Sequence, residues 1–557
     1  MTTRRLCTLA FVLFAACVDD GTQPPPNLEA PTGVTAQATS ATTAQVSWAA
    51  VTGAVTYTIQ RAQGASGGTF LTVGSSATTS FDDSGLNAET QYRYRVQAVS
   101  GSAQSAFSTE IGITTPPATI PTVEVTADIT TNTTWIPTNK YVLKGFIHVA
   151  SGATLTILPG TKVVGDFNTV GSSLFVLRGA RIVAEGNAQA PIVFTSSRAE
   201  GQRQAGDWGG LILVGNGVIN RSSPVILEGT GTGTDNPAVD YSGGTSNTDN
   251  SGSLSYVRVE FAGYAIAQDT ELNSFTFAAV GGGTRCDHLQ SLNGLDDAFE
   301  FFGGAVNCLN LVSYNSGDDH FDMSEGYTGL IQYVIAYQSR TVVPRPGLGN
   351  VSSDPQGIEN DGCAGSNCIN GQISLPYTVP MIANFTLVGP PASVTNSSGN
   401  IGMMLRRGTG GVYVNGVVAR WSRAGISLRD QPTLDRIADG NLILRNILVT
   451  ETPVVFQAQS GSTVQGTMDL GTNAIEYAAA TTATSLFLGV PDAEPANGAV
   501  LDFEPAATSA AAGGGLAAFT GPIAAKAAQV VAPTIYRGAT GTGSARWWQG
   551  WTYFAVN

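Results

Sequence analysis

Lysine is almost missing from this chain. Lys140, Lys144, Lys162 and Lys526 are the full set among 557 residues. Charged residues of all kinds reach only 12%, about half the usual share. With so few Lys and Glu, a mainly helical protein is excluded. The net charge of −14 argues against general nucleic-acid binding, which needs cationic surface to displace counterions. No apolar stretch is long enough for a membrane-spanning helix. Cys-x-x-Cys pairs are absent too, so the common zinc-site spacing has no support. What is present is 67 Gly, much Thr, Ser and Asn, and many short Val/Ile/Leu runs. That composition predicts an all-β chain of short strands joined by turns. A hydrophobic share of 42% supplies a sizeable core, and 557 residues exceed one ordinary domain.

The first segment reads as an address. Arg4 and Arg5 precede the apolar run from Leu6 to Ala16, and Cys17 follows. This is the layout of a secretory signal. The stretch Leu13-Phe14-Ala15-Ala16-Cys17 resembles a bacterial lipoprotein signal. The resemblance implies removal of residues 1–16, lipidation of Cys17 and attachment to the outer membrane or cell surface. Phe14 stands where Leu is usual, which leaves ordinary secretion open. Residues 17–28 carry Pro24-Pro25-Pro26 and read as a stiff tether. Beyond Cys7 and Cys17, four cysteines remain, an even number suited to an oxidising compartment. Cys363 and Cys368 close a short loop and are candidates for a disulfide. Cys286 and Cys308 either bridge or stack unbridged.

Residues 29–116 alternate apolar and polar residues in runs such as Gln45–Trp48, Tyr57–Arg61 and Tyr92–Val99, with turn residues between them. The pattern predicts a small β-sandwich. Pro31, Trp48, Tyr57, and Asp83-Ser84-Gly85-Leu86 before Tyr92-Arg93-Tyr94-Arg95-Val96 make the segment similar to a fibronectin type III module. That resemblance implies a spacer or presenting domain without catalysis.

Residues 117–557 carry a different signal. Asp296, Asp297, Phe299 and Glu300 recur as Asp318, Asp319, Phe321 and Asp322, 22 residues later. Cys286 and Cys308, Leu289 and Leu311, and Asn293 and Asn315 keep that offset. Gly282, Gly304 and Gly326 extend it to a weaker third copy. A fixed period in the low twenties, in short strands with Gly-rich turns, predicts a stacked solenoid. Coils roughly 4.8 Å apart would place like residues in ladders. Gly229–Ser253 reads as a loop leaving the stack. Further motifs, among them Gly179-Ala180-Arg181-Ile182-Val183-Ala184-Glu185-Gly186, Gly206-Asp207-Trp208-Gly209-Gly210-Leu211 and Trp548-Gln549-Gly550-Trp551-Thr552, resemble secreted bacterial right-handed parallel β-helix proteins of the pectate-lyase-like superfamily. The resemblance implies a β-helix over 117–475, with last coils and a C-terminal cap over 476–557. Trp547, Trp548, Trp551, Tyr553 and Phe554 would cover the last open coil, with a sugar-stacking platform as the other reading.

Two clusters could carry chemistry. Residues 287–325 hold eight acids and no Lys or Arg, and stacking sets Asp296 over Asp318 and Asp297 over Asp319. Two carboxylates ~5 Å apart repel by roughly 3 kcal/mol at an effective dielectric near 20. Asp296, Asp297, Asp318 and Asp319 are therefore candidate ligands of a structural Ca²⁺, with Glu359 and Asp361 as extra donors. The same four and His320 are weaker catalytic candidates for a hydrolase. Against that, the Gly-His-Gly and Arg-x-Lys motifs of the polygalacturonases are absent downstream. A lyase would need an Arg base, and Arg285 and Arg340 sit in no recognisable motif. The second cluster has the opposite sign. Arg406, Arg407, Arg420, Arg423 and Arg429, with Tyr413 and Trp421 interleaved, are candidates for binding an anionic polymer. The leading expectation is non-catalytic binding of polysaccharide or another cell-surface polymer. The alternatives are a polysaccharide lyase or glycoside hydrolase, and a structural envelope protein.

Overall fold

A computed structural model describes residues 27–267, 270–347, 349–363, 365–391, 400–461, 463–496 and 499–554. The signal segment and Cys17 lie outside the described residues. The chain divides into two compact units, one ending at Ile120 and the other beginning at Pro121.

The first unit is a sandwich of antiparallel strands. Thr35–Ala38, Thr43–Ser47 and Ser80–Ser84 form one sheet, while Leu71–Ser76, Thr56–Gln63, Gln91–Ser100, Ala103–Phe107 and Ile111–Thr114 form the other. Along Gln91–Ser100, every second residue from Tyr92 to Ala98 is buried, because alternate side chains of a strand face opposite ways. They pack on Val46, Trp48 and Ile59, each such side chain contributing ~1.5–3 kcal/mol. The Asn87 N–H donates to the Tyr92 hydroxyl at 2.8 Å, tying the chain at the corner where sandwiches of this type place a tyrosine.

The second unit is a parallel coil stack. Seventeen strands make one long sheet and ten make another. All neighbours run parallel except the terminal pair formed by Gln465–Gly466 with Ala424–Arg429. Cys286 lies beside Cys308 and Leu289 beside Leu311. The 22-residue echo is thus one turn of the coil. The next turn is one residue longer, since Tyr314 lies beside Tyr337. Inside the coils, Phe275, Phe299 and Phe321 stack with centroids 5.0 and 5.2 Å apart. At the corners, Asn293 and Asn315 adopt φ of 52° and 55°, a left-handed backbone that Asn tolerates. Their side chains join at 3.1 Å. Both cysteine pairs, Cys286–Cys308 and Cys363–Cys368, are bridged.

The C-terminal segment covers the stack along its flank, not over the terminal coil. Outward-facing Phe261, Leu292, Tyr314, Tyr337 and Val388 form an apolar strip, and Phe503, Trp548, Trp551 and Phe554 pack on it. Left wet, that strip would forfeit the burial that stabilises it. Amide side chains on several rungs dock the segment. Asn446 donates to Gly514 O at 2.9 Å, Asn384 to Thr534 Oγ1 at 2.7 Å and Gln332 to Ala532 O at 2.7 Å. Gln290 donates to Tyr553 O at 2.7 Å and accepts its N–H at 2.8 Å.

Candidate functional site

The ten-stranded sheet shows why the acids meet. In Phe299–Phe302 and Asp322–Ser324, Phe299, Phe301 and Met323 belong to the interior core. Glu300 and Asp322 lie between them in sequence and so face outward. Register then sets Glu300 beside Asp322 and Asp322 beside Glu359. Asp296, Asp297 and Asp318 come from the turns leading into these strands. Arg221 and Glu228 come from the excursion between Leu211–Val214 and Gly252–Glu260.

Together they line a cavity of about 410 Å³ with ten carboxylates and three guanidinium groups. Arg406 pairs with Asp361 at 2.9 Å and with Glu359, Arg407 with Asp361, and Arg221 with Glu325. The Tyr241 hydroxyl donates to Glu325 at 2.6 Å. Even so, carboxylates exceed arginines by 10 − 3 = 7. Three triads each bring one oxygen per residue within 4.8 Å: Asp296/Asp297/Asp318, Asp297/Glu300/Asp322 and Asp319/Asp322/Glu359. Burial, then like charge, holds the carboxyls of Asp297, Asp319 and Asp322 well above the ordinary range. Asp296 and Glu300 rise for the same two reasons, in that order. Burial first, with Asp354 and other acids adding, raises Asp318 to about 7, and burial with Asp361 raises Glu359 to about 8.

Such a site needs protons or a cation. One oxygen each of Asp318 and Asp322 is buried with no hydrogen-bond partner. An all-oxygen donor set with orphaned carboxylate oxygens fits a hard divalent ion of the Ca²⁺ kind, and neither His nor Cys is among the cavity's lining residues.

The structure corrects several expectations. The quartet Asp296, Asp297, Asp318 and Asp319 divides. Asp319 joins Asp322 and Glu359, and its carboxylate accepts the Gln356 N–H. His320 is 1% exposed, with Nδ1 2.6 Å from Ser313 Oγ. Burial drives its pKa down to about 3, so it is neutral and removed from the cavity. The expected Arg-aromatic face does not form. Tyr413 is fully buried in the ladder between Ile382 and Leu444. Trp421 fills the coil interior, where Gly357, Gly389 and Gly402 leave room for the indole; a Cβ at any of them would lie 2.8–3.1 Å from its ring. Arg420 is 5% exposed and donates to Gly389 O and Pro491 O, both at 2.9 Å. Arg406 and Arg407 turn into the acidic cavity. Arg423 is exposed, and Arg429, half-buried, donates to Ser427 Oγ at 3.2 Å. Interior against exterior decides these fates, and residue type alone does not encode it.

Sequence reasoning missed Arg221, Glu228, Tyr241 and Glu271. The first three arrive on the excursion, and no periodic signal fixes its position against the coils.

Comparisons with known proteins agree with the two units. A family model described as a pectate-lyase like beta helix domain matches residues 127–487. A fibronectin type III model matches residues 29–114. Among solved structures, the crystal structure of FN3tt is 22% identical, covering 16% of this chain and 95% of its own, at a TM-score of 0.15. The FN5 domain of Drosophila Lar is 23% identical, covering 16% and 98%, at 0.15. The third fibronectin III domain of human KIAA0343 protein is 19% identical, covering 19% and 96%, at 0.16. No curated protein matches the chain. The two modules together support an extracellular-type, carbohydrate-related protein. The β-helix match spans more than half of the sequence, and the chain belongs to the pectate-lyase-like beta helix family, with a fibronectin type III domain ahead of it.

Proposed function

We propose that this chain is a secreted, lipid-anchored protein that binds an acidic extracellular polysaccharide without cleaving it. The Asp296–Asp361 cleft would hold Ca²⁺ through Asp296, Asp297, Asp318, Glu300, Asp322 and Glu359. Bound there, Ca²⁺ would neutralise the carboxylates and offer open coordination positions to a sugar carboxylate. The fibronectin type III module would space the β-helix from the membrane carrying Cys17. One observation carries binding over catalysis: Arg221, Arg406 and Arg407 are each committed to a carboxylate of the cleft. A guanidinium held in that way is a poor proton acceptor. His320, the other candidate base, is inside the coil.

The rival reading, a lyase, draws on Arg407, whose side chain is 40% exposed at the cavity mouth. The test incubates the full chain with polyuronates and neutral glucans, with and without Ca²⁺. Ca²⁺-dependent retention without new reducing ends or unsaturated products supports the binding reading. Appearance of unsaturated uronates, abolished in Arg407→Gln, overturns it in favour of the lyase.

A further inference from the structure

A second cavity lies on the other sheet, and there cations outnumber carboxylates by one. It measures about 360 Å³, and its lining includes Thr195, Tyr553, the cations Lys162, Arg203 and Arg258, and the two carboxylates Glu200 and Glu260. Coil register explains its charge. Lys140 lies beside Lys162, Lys162 beside Val193, and Val193 beside Arg258. One outward row therefore carries cations on three of four neighbouring coils, in a chain with a net charge of −14 and only four lysines. Like charges stacked directly opposite repel, and neither Lys140 nor Lys162 has an ion-pair partner among the described residues. Glu260, 2% exposed, is held by Arg258 at 2.9 Å and Arg203 at 3.7 Å. A second observation is independent of charge. Thr195 is fully buried against this cavity, and its hydroxyl has no hydrogen-bond partner.

The geometry points to an anion site for the carboxylate or sulfate of an acidic sugar. Lys162 and Arg203 face the anion, the Thr195 hydroxyl donates to it, and the Tyr553 ring packs against the sugar. The C-terminal segment supplies Tyr553, whose backbone is fixed by Gln290, so the site exists only with that segment docked. This site is independent of the acidic cleft, and a chelator keeps the cleft silent.

The experiment is calorimetric titration of the full chain in EDTA with a galacturonate hexamer, inorganic sulfate and a neutral xylose hexamer. The hexamer of galacturonate binds, sulfate binds more weakly and the neutral sugar does not. Lys162→Gln and Thr195→Val each weaken binding ~10-fold, as expected for loss of one charge-assisted or buried hydrogen bond. Arg285→Gln, an exposed charge outside the cavity, leaves it unchanged, and melting curves verify that all variants fold. Absence of hexamer binding, or affinity undiminished from the parent in both cavity variants, overturns the site. Sulfate binding as tightly as the hexamer overturns the assignment to a sugar.

Discussion

Asp322 belongs to two of the three carboxylate triads and keeps one buried oxygen without a partner. Replacing it by Asn removes a charge from both triads at once. In EDTA, Asp322→Asn should raise the urea midpoint, since roughly 3 kcal/mol of repulsion per close pair is an upper bound on what is relieved. In Ca²⁺ the same variant should lose the metal-induced rise in melting temperature shown by the parent. Acidity follows a definite sign. A carboxyl with a raised folded pKa contributes its stability fully below the unfolded value, near 4, and loses it as pH rises through the folded value. For Asp318 and Glu359 those folded values are about 7 and about 8. The metal-free chain should therefore weaken between pH 5 and 8, and the Ca²⁺-induced shift should grow over the same range; denaturation at both pH values measures each. Lys526 gives the opposite slope. Burial lowers its pKa to about 8, while its ammonium donates to Thr328 O at 2.8 Å. The unfolded chain holds more protons above that pH, so stability rises from pH 8 towards 9.5. Lys526→Met should abolish that rise in urea midpoints.

At the scale of elements, each coil owes its place to ladders that cross it. The Phe275–Phe299–Phe321 stack spans three turns, and Phe299→Ala should cost about 3–5 kcal/mol by opening its middle. The Cys286–Cys308 bridge ties two neighbouring turns across 22 residues. Converting both cysteines to Ser should cost about 2–4 kcal/mol, read from guanidinium midpoints. These ladders are the part of the fold legible in the sequence. A coil of constant length brings like residues together, so Asp296 near Asp318 and Cys286 near Cys308 follow from counting. Tyr413, Trp421 and His320 were illegible for an equally physical reason. A one-residue change of phase turns a side chain from outside to inside, and the glycines that make room for Trp421 lie 19 to 64 residues away in sequence. The acidic cleft was half visible: its coil acids repeat, whereas Arg221, Glu228 and Tyr241 come from the aperiodic excursion.

Across the whole molecule, the C-terminal segment binds along the flank of the stack. Deleting residues 483–557 should expose Leu292, Tyr314, Tyr337 and Val388, giving a chain that binds apolar dyes and self-associates in gel filtration. The acidic cleft lies on the ten-stranded sheet, so Ca²⁺ binding should survive in whatever fraction stays soluble.

That docking has a further meaning. Gln290, Gln332, Asn384 and Asn446 receive the tail on four different turns, the first of them holding Tyr553 and the last Gly514. A skipped or slipped winding anywhere along this span would put one clasp out of step with all the others. The tail thus acts as a gauge of complete winding, closing like a zip only on a stack whose every layer is already present.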